Sequence, residues 1–333
     1  MRLGTLSRVG VALSVLFLAQ SEQAHAQYKG SIKNPPYSYE DPLPILGKKV
    51  AARGIEFPLP WGIGLNYMFM QQPVDITNIK LGLNDSEMVD MSGVIKFKSV
   101  QSKVHAANLR LDLWLLPFLN VYGMVNYIPK STTSITLAEP FPLESGATQH
   151  VVGEGFGATG AFGIWGAWAT LDANWTWNQA ELVNGAVRTT LLTPRVGMEV
   201  YRWNKVALNL WVGAMAQFIG SETKGAIKLS DALGEPTGAL VDKVNTWYGG
   251  LPPLQQAAFK PLVDKINEAD PGSATVKYEL DKKVAQTWNM MLGAQLEINK
   301  YWFLRTEVGV IKRTSCLVGL NYRFGTPGFS HKK

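Results

Sequence analysis

The chain has 333 residues, a net charge of +6 and a single cysteine, and its mean hydropathy is zero although 46% of its residues are hydrophobic. The basic excess comes without a basic run interleaved with aromatics, which excludes nucleic acid as a partner, and the lone Cys316 excludes an internal disulfide or a thiolate metal site. Apolar residues are spread among polar ones, and no run after residue 26 is long and apolar enough for a membrane helix.

Residues 1–26 read as an export signal. Arg2 and Arg8 precede an apolar stretch from Val9 to Ala19, and Ala24-His25-Ala26 is a small-x-small cleavage site that puts the mature start at Gln27. The segment 27–60 carries Pro35, Pro36, Pro42, Pro44, Pro58 and Pro60, so it is not a regular strand throughout. It reads as a periplasmic tail, with entry into a barrel lumen as the alternative.

From residue 61 the pattern changes to period two. Strands are predicted at about 61–72, 93–115, 119–136, 151–164, 167–181, 188–202, 205–220, 285–299, 301–311 and 314–324. Between Leu109 and Leu115 the leucines alternate with Arg110 and Asp112. Between Ala169 and Trp177 one face is Ala169, Leu171, Ala173, Trp175 and Trp177, and the other is Thr170, Asp172, Asn174 and Thr176. The same alternation runs through Val206–Phe218, Trp288–Ile298, Trp302–Val310 and Cys316–Phe324. Pro73 and the polar stretch Asn84 to Asp90 blur it, and twelve strands follow if 73–104 holds a further pair.

Very short turns near Pro117–Asn120, Ile164–Gly166, Arg202–Lys205 and Asn299–Tyr301 alternate with longer connections, as in barrels with short periplasmic turns and long outer loops. Aromatics gather at the short turns: Trp61, Trp114, Phe118, Tyr122, Trp165, Trp168, Tyr201, Trp203, Tyr301, Trp302, Phe303, Tyr322 and Phe324. A second set, Tyr127, Trp175, Trp177, Phe218 and Trp288, sits one strand length away. Two such belts fit the two headgroup layers of a bilayer. The long connection from Ser221 to Val284 contains helical spacings at Leu240, Val244, Trp247 and Leu251, and at Leu254, Ala258, Leu262 and Ile266, with Pro261 expected to kink or restart the second helix. A helical hairpin at about 225–275 on the outer side follows, packed on the barrel rim or serving as a lid or docking surface.

The fold class is therefore all-β: a transmembrane antiparallel up-and-down barrel of about ten strands across 61–324, with a small helical insertion and a short tail at 325–333. An ionic group facing lipid at midplane costs roughly 2–4 kcal/mol, so Arg110, Asp112, Asp172, Arg195, Glu199, Glu297, Arg305, Glu307 and Arg323 are assigned to the lumen, where opposite charges can pair. A barrel of this size leaves a lumen closed or very narrow.

The last strand, Leu317-Val318-Gly319-Leu320-Asn321-Tyr322-Arg323-Phe324, resembles the C-terminal assembly signal of bacterial outer-membrane proteins, with Gly319, Tyr322 and Phe324 at the signal positions. It departs in having Leu317 where a polar residue is usual and nine residues after Phe324. This segment, Leu116–Gly123 and Leu171–Trp177 resemble uncharacterised proteobacterial outer-membrane proteins. The resemblance implies an outer-membrane location, contact with membrane lipid and with the assembly machinery, and no particular activity. The expected role is a non-enzymatic narrow pore or surface scaffold without a cofactor, with a small solute or surface ligand left open. The alternatives are a binding protein acting through the helical loop and a hydrolase. For the last, His150, read as lying in an outer loop near Ser145 and Glu144, is the candidate, with His105 and His331 the other histidines of the mature chain.

Overall fold

The computed structural model describes residues 36–164, 167–229, 237–268 and 274–328. The signal-peptide expectation, Trp165, His331 and most of the 325–333 tail lie outside them.

Ten strands close into an antiparallel barrel. They are β1 (Trp61–Leu83), β3 (Lys96–Leu116), β4 (Leu119–Glu139), β5 (Leu143–Ile164), β6 (Ala167–Ala180), β7 (Ala186–Trp203), β8 (Val206–Ile219), β11 (Trp288–Glu297), β12 (Trp302–Gly309) and β13 (Thr314–Phe324). β13 pairs with β1 from Trp61↔Phe324 to Gln71↔Thr314, which closes the cylinder and leaves it no free edge. Three further strands, β2 (Val89–Asp90), β9 (Glu222–Lys228) and β10 (Thr275–Val284), join the sheet above it.

The outward face explains why the chain enters a membrane. Leu65, Leu111, Val125, Phe156, Leu171, Val196, Val212, Leu292 and Leu320 all point away from the lumen and are exposed. A continuous exposed apolar band of this kind has a low free energy only in lipid. Among the described residues no helix is long and apolar enough to cross a membrane, so the strands do the crossing. At the lower rim Trp61 stacks on Phe324 at 6.5 Å, and Trp302 and Phe324 flank Tyr322 at 4.8 and 6.1 Å. At the upper boundary Phe156 packs between Trp175 and Trp177 at 5.6 and 5.8 Å.

Several expectations are corrected. Trp114, Tyr122, Trp168 and Phe303 do not belong to the belt: they line the lumen, because each has the parity of the inward face, as Asp112, Asn120, Thr170 and Arg305 do. β1 runs through Pro73 to Leu83, since Pro73 lies where β1 leaves its pairing with β3 and no ladder donor is required of it. β4 and β5 extend to a hairpin closing at Leu137↔Leu143, so His150 stands in a strand and not in a loop. Serines, threonines and glycines hide the alternation there.

These extensions build a second storey. β10 takes over from β13 as the neighbour of β1, pairing from Val74↔Val284 to Leu83↔Val276, and β9 pairs with β10. The 181–184 loop links β9 back to β5: the Asn184 N–H donates to the Lys224 carbonyl at 2.7 Å and the Glu181 N–H to the His150 carbonyl at 3.1 Å. On the other side β3, β4 and β5 continue the wall, β3 pairing with β4 up to Lys96↔Glu139 and β4 with β5 up to Leu137↔Leu143.

Helices α2 (Thr237–Gly249) and α3 (Pro253–Glu268) lie between β9 and β10. Leu262 of α3 joins Ile79 of β1 and Met91 in a cluster with Trp247, Phe259 and Ile266. Leu254, expected on the apolar stripe, is exposed because it precedes the buried turn. Pro261 does not restart the helix; α3 runs through it, losing only the hydrogen bond that a proline nitrogen cannot donate.

The proline-rich segment is docked on the lower rim. It contains a short helix α1 (Gly47–Ala51). The Ile45 N–H donates to the Leu115 carbonyl at 2.9 Å, and the buried Asp41 accepts from the Thr326 N–H and hydroxyl at 2.8 and 2.6 Å. Its end turns inward, and Pro58 lines the bottom of the lumen.

Candidate functional site

The alternation that turns apolar residues outward turns polar ones inward, and within the membrane the lumen is crossed by two ionic networks. In the first, Arg323 of β13 donates to Asp112 of β3 at 2.9 Å and to the carbonyls of Leu59 and Pro60 at 2.8 and 3.2 Å. Asn120 of β4 donates to Asp112 and accepts from Arg110, both at 2.7 Å. The Arg110 guanidinium lies 3.5 Å over the Tyr122 ring, whose hydroxyl donates to Asp172 of β6 at 2.8 Å, and Thr159 donates to the same carboxylate oxygen at 2.6 Å. This network ties five strands together through side chains.

In the second, Arg195 of β7 grips Glu307 of β12 with two hydrogen bonds of 3.0 and 3.1 Å, and Arg305 reaches the same carboxylate at 2.5 Å. β7 and β12 are separated by two strands on the sheet path, so the pair spans the lumen as a chord. A forked guanidinium fits a carboxylate in this two-bond geometry. Arg305 also lies 5.1 Å from the Trp211 ring, and Trp211 packs on Trp168 at 5.8 Å. Gly293 makes room for this: a Cβ there would come within 2.2 Å of the indole.

Seven of the nine expected lumen residues fall in these networks. Glu297 is buried and accepts from Asn209 at 2.9 Å nearer the lower rim. Glu199 pairs with Arg202 at the end of β7. Gly319, Tyr322 and Phe324 sit on β13 against Asn66, Ile63 and Trp61 of β1, at the seam that closes the barrel.

The lumen changes character in the upper storey. A cavity of about 890 Å³ runs from Pro58 at the lower rim, past both networks, up to the helical hairpin. Its lower part is lined by Asn66, Asn108, Asn126 and Asn174. Its upper part is lined by Met70, Ile76, Ile79, Val100, Val104, Ile128, Ile135, Leu191 and Leu280, with Val244, Trp247, Leu262 and Val263 of the hairpin above. Sequence reading missed this chamber. The signal was the β-branched residues on the inward parity of 95–104 and 276–284, which resemble a membrane-facing set until the pairing shows which side they take.

The histidines lie elsewhere. The His105 Nδ1 is 2.7 Å from the Tyr67 hydroxyl on the outer wall. Ser145 lines the cavity, whereas His150 and Glu144 are exposed on the other face of β5, so the three do not form a nucleophile–base set. Among the described residues no group of three or more His, Cys, Asp or Glu is placed to hold a metal.

No family model and no curated protein matches the chain. Among solved structures it is similar to the outer membrane protein OprG from Pseudomonas aeruginosa, with 10% identity and a TM-score of 0.35 over 81% of this chain and 98% of that one. The translocator domain of autotransporter NalP from Neisseria meningitidis matches at 9% identity and a TM-score of 0.36, covering 80% and 88% of the two chains. The COG4313 outer membrane channel from Pseudomonas putida F1 matches at 9% identity and a TM-score of 0.32, covering 81% and 97%.

Proposed function

We propose that this protein is an outer-membrane barrel that captures a small apolar molecule from the external side and holds it in the upper chamber, above a polar lumen that admits little ion flow. The observation that carries this reading is the change in lining along one continuous cavity, from asparagines and ion pairs inside the membrane to aliphatic side chains outside it. Water gains nothing from an aliphatic wall, whereas an apolar ligand of matching size leaves water favourably on entering it, by roughly 25 cal/mol per Å² of apolar surface. The Arg195–Glu307 chord and the Asp112–Arg323 pair lie below the chamber and hold the lumen narrow.

A role as a surface scaffold acting through the helical loop is the second reading. The chamber reading is favoured over it because Leu262, Val263 and Ile266, the loop's apolar stripe, already face the cavity.

The test is binding of dodecanol to the folded protein in lipid nanodiscs, followed by native mass spectrometry with empty nanodiscs as reference. One retained dodecanol per protein is expected. Absence of binding by protein that shows heat-modifiable migration would overturn the chamber reading.

A further inference from the structure

Among the described residues, the apolar chamber contains one charge that its wall does not answer. Lys282 of β10 stands opposite Ile76 of β1, and its side chain lines the cavity. The acids of this part of the sheet are engaged away from it. Asp281 accepts from Asn78 at 2.7 Å. Glu279 holds Lys80 at 3.2 Å and Lys224 at 3.4 Å. Among the described residues, no carboxylate is within ion-pair distance of the Lys282 ammonium. Burial alone holds that ammonium below the ordinary lysine value.

Two further buried polar groups line the same cavity. Thr223 of β9 is the partner of Leu280, which places it diagonally from Lys282 on the same inner face, a separation that side chains of this length bridge. The Thr223 hydroxyl and the Gln217 amide oxygen at the end of β8 are both buried without a hydrogen-bond partner. An ammonium with no counter-charge in an apolar wall is costly, and buried polar groups of this kind are expected to find partners.

We propose that Lys282 receives the carboxylate of an amphiphilic ligand whose aliphatic body fills the chamber, with Thr223 donating a second hydrogen bond to the same head. The ligand class is a medium-chain aliphatic carboxylate. A single negative charge balances a single lysine; a phosphate dianion would leave charge unbalanced in the same wall. This proposal rests on the chamber reading and specifies what the chamber selects.

The experiment compares dodecanoate with dodecanol, each titrated against the folded protein in nanodiscs and against empty nanodiscs. A charge-assisted contact in a largely dry site is worth roughly tenfold or more in affinity. Wild type is expected to bind dodecanoate about tenfold more tightly than dodecanol, K282M to lose that preference while keeping dodecanol, and K282R to retain it. K282Q serves as a second neutral variant, and heat-modifiable migration reports folding of each. If dodecanol binds and dodecanoate binds no better, or if K282M and K282Q keep the preference, the carboxylate assignment is overturned while the chamber reading stands. If neither ligand binds wild type, the chamber reading fails and this assignment with it.

Discussion

Glu307 is the residue on which the lumen depends most heavily. It is the one carboxylate that both Arg195 and Arg305 grip. Removing it leaves two guanidiniums facing each other in a confined space, and breaking a buried pair from one side costs about 3 kcal/mol or more. E307A is therefore expected to lower the temperature at which the folded gel band converts to the unfolded one, and E307A combined with R195A and R305A to recover part of that loss; no shift in E307A would show that the chord bears no load. Asp112 takes the same position in the other network, receiving both Arg323 and Asn120. Gly293 acts by its lack of a side chain. A valine there would occupy the space of the Trp211 indole, so G293V is expected to displace Trp211 and disrupt the Trp168 contact, read as a change in near-ultraviolet circular dichroism.

At the scale of elements, the upper storey depends on a seam with few backbone bonds. The 181–184 loop meets β9 at the Val183↔Gly225 bridge, and the Tyr278 hydroxyl donates to the Leu182 carbonyl at 2.7 Å. A Cβ on Gly225 would stand 2.1 Å from that carbonyl. G225V is expected to open the seam while the ten-stranded waist still assembles, because the waist closes independently through β13 and β1. Hydrogen exchange should then rise in 181–184 and 222–228 and stay unchanged in β12 and β13; a rise throughout would show that the two storeys fold as one unit. The helical hairpin is held by a few side chains, Trp247, Phe259, Leu262 and Ile266 among them. Replacing 237–268 by a short flexible linker is expected to leave folding intact and to speed dodecanol release, since the chamber loses its roof.

At the scale of the whole molecule, two storeys share β1, β3, β4 and β5, and each has its own solvent inside and out. The waist is apolar outside and polar within, as a lipid environment requires. The upper storey carries ion pairs outside, such as Lys80–Glu279 and Lys96–Glu139, and aliphatic residues within. With both networks intact, the purified protein in a planar bilayer is expected to show little conductance, and the triple variant lacking Arg195, Arg305 and Glu307 a measurable increase; large discrete steps from wild type would show that the networks do not narrow the path.

The sequence by itself determined the waist. Alternation of one residue in two, short turns on one side and aromatics at strand ends are local signals, and each strand from β6 to β8 and β11 to β13 carries them without help from its neighbours. The polarity of Asp112, Asp172, Arg195 and Glu307 likewise assigned them to the lumen, because the alternative face is lipid. The partners of these charges were not legible: Arg195 and Glu307 are 112 residues apart, and only closure of the cylinder makes β7 and β12 face each other. Trp114, Tyr122, Trp168 and Phe303 went to the wrong side because an aromatic near a turn satisfies the belt pattern and the lumen pattern equally, and the parity set by pairing separates them. The upper storey was decided by tertiary structure alone. Its strands are aliphatic on the face that, lower in the same sheet, would be polar, and its wall forms only because β10 returns to β1 across more than 190 residues of chain and a loop meets β9. Which face of a strand is inside is a property of the closed ring, and a single strand does not contain it.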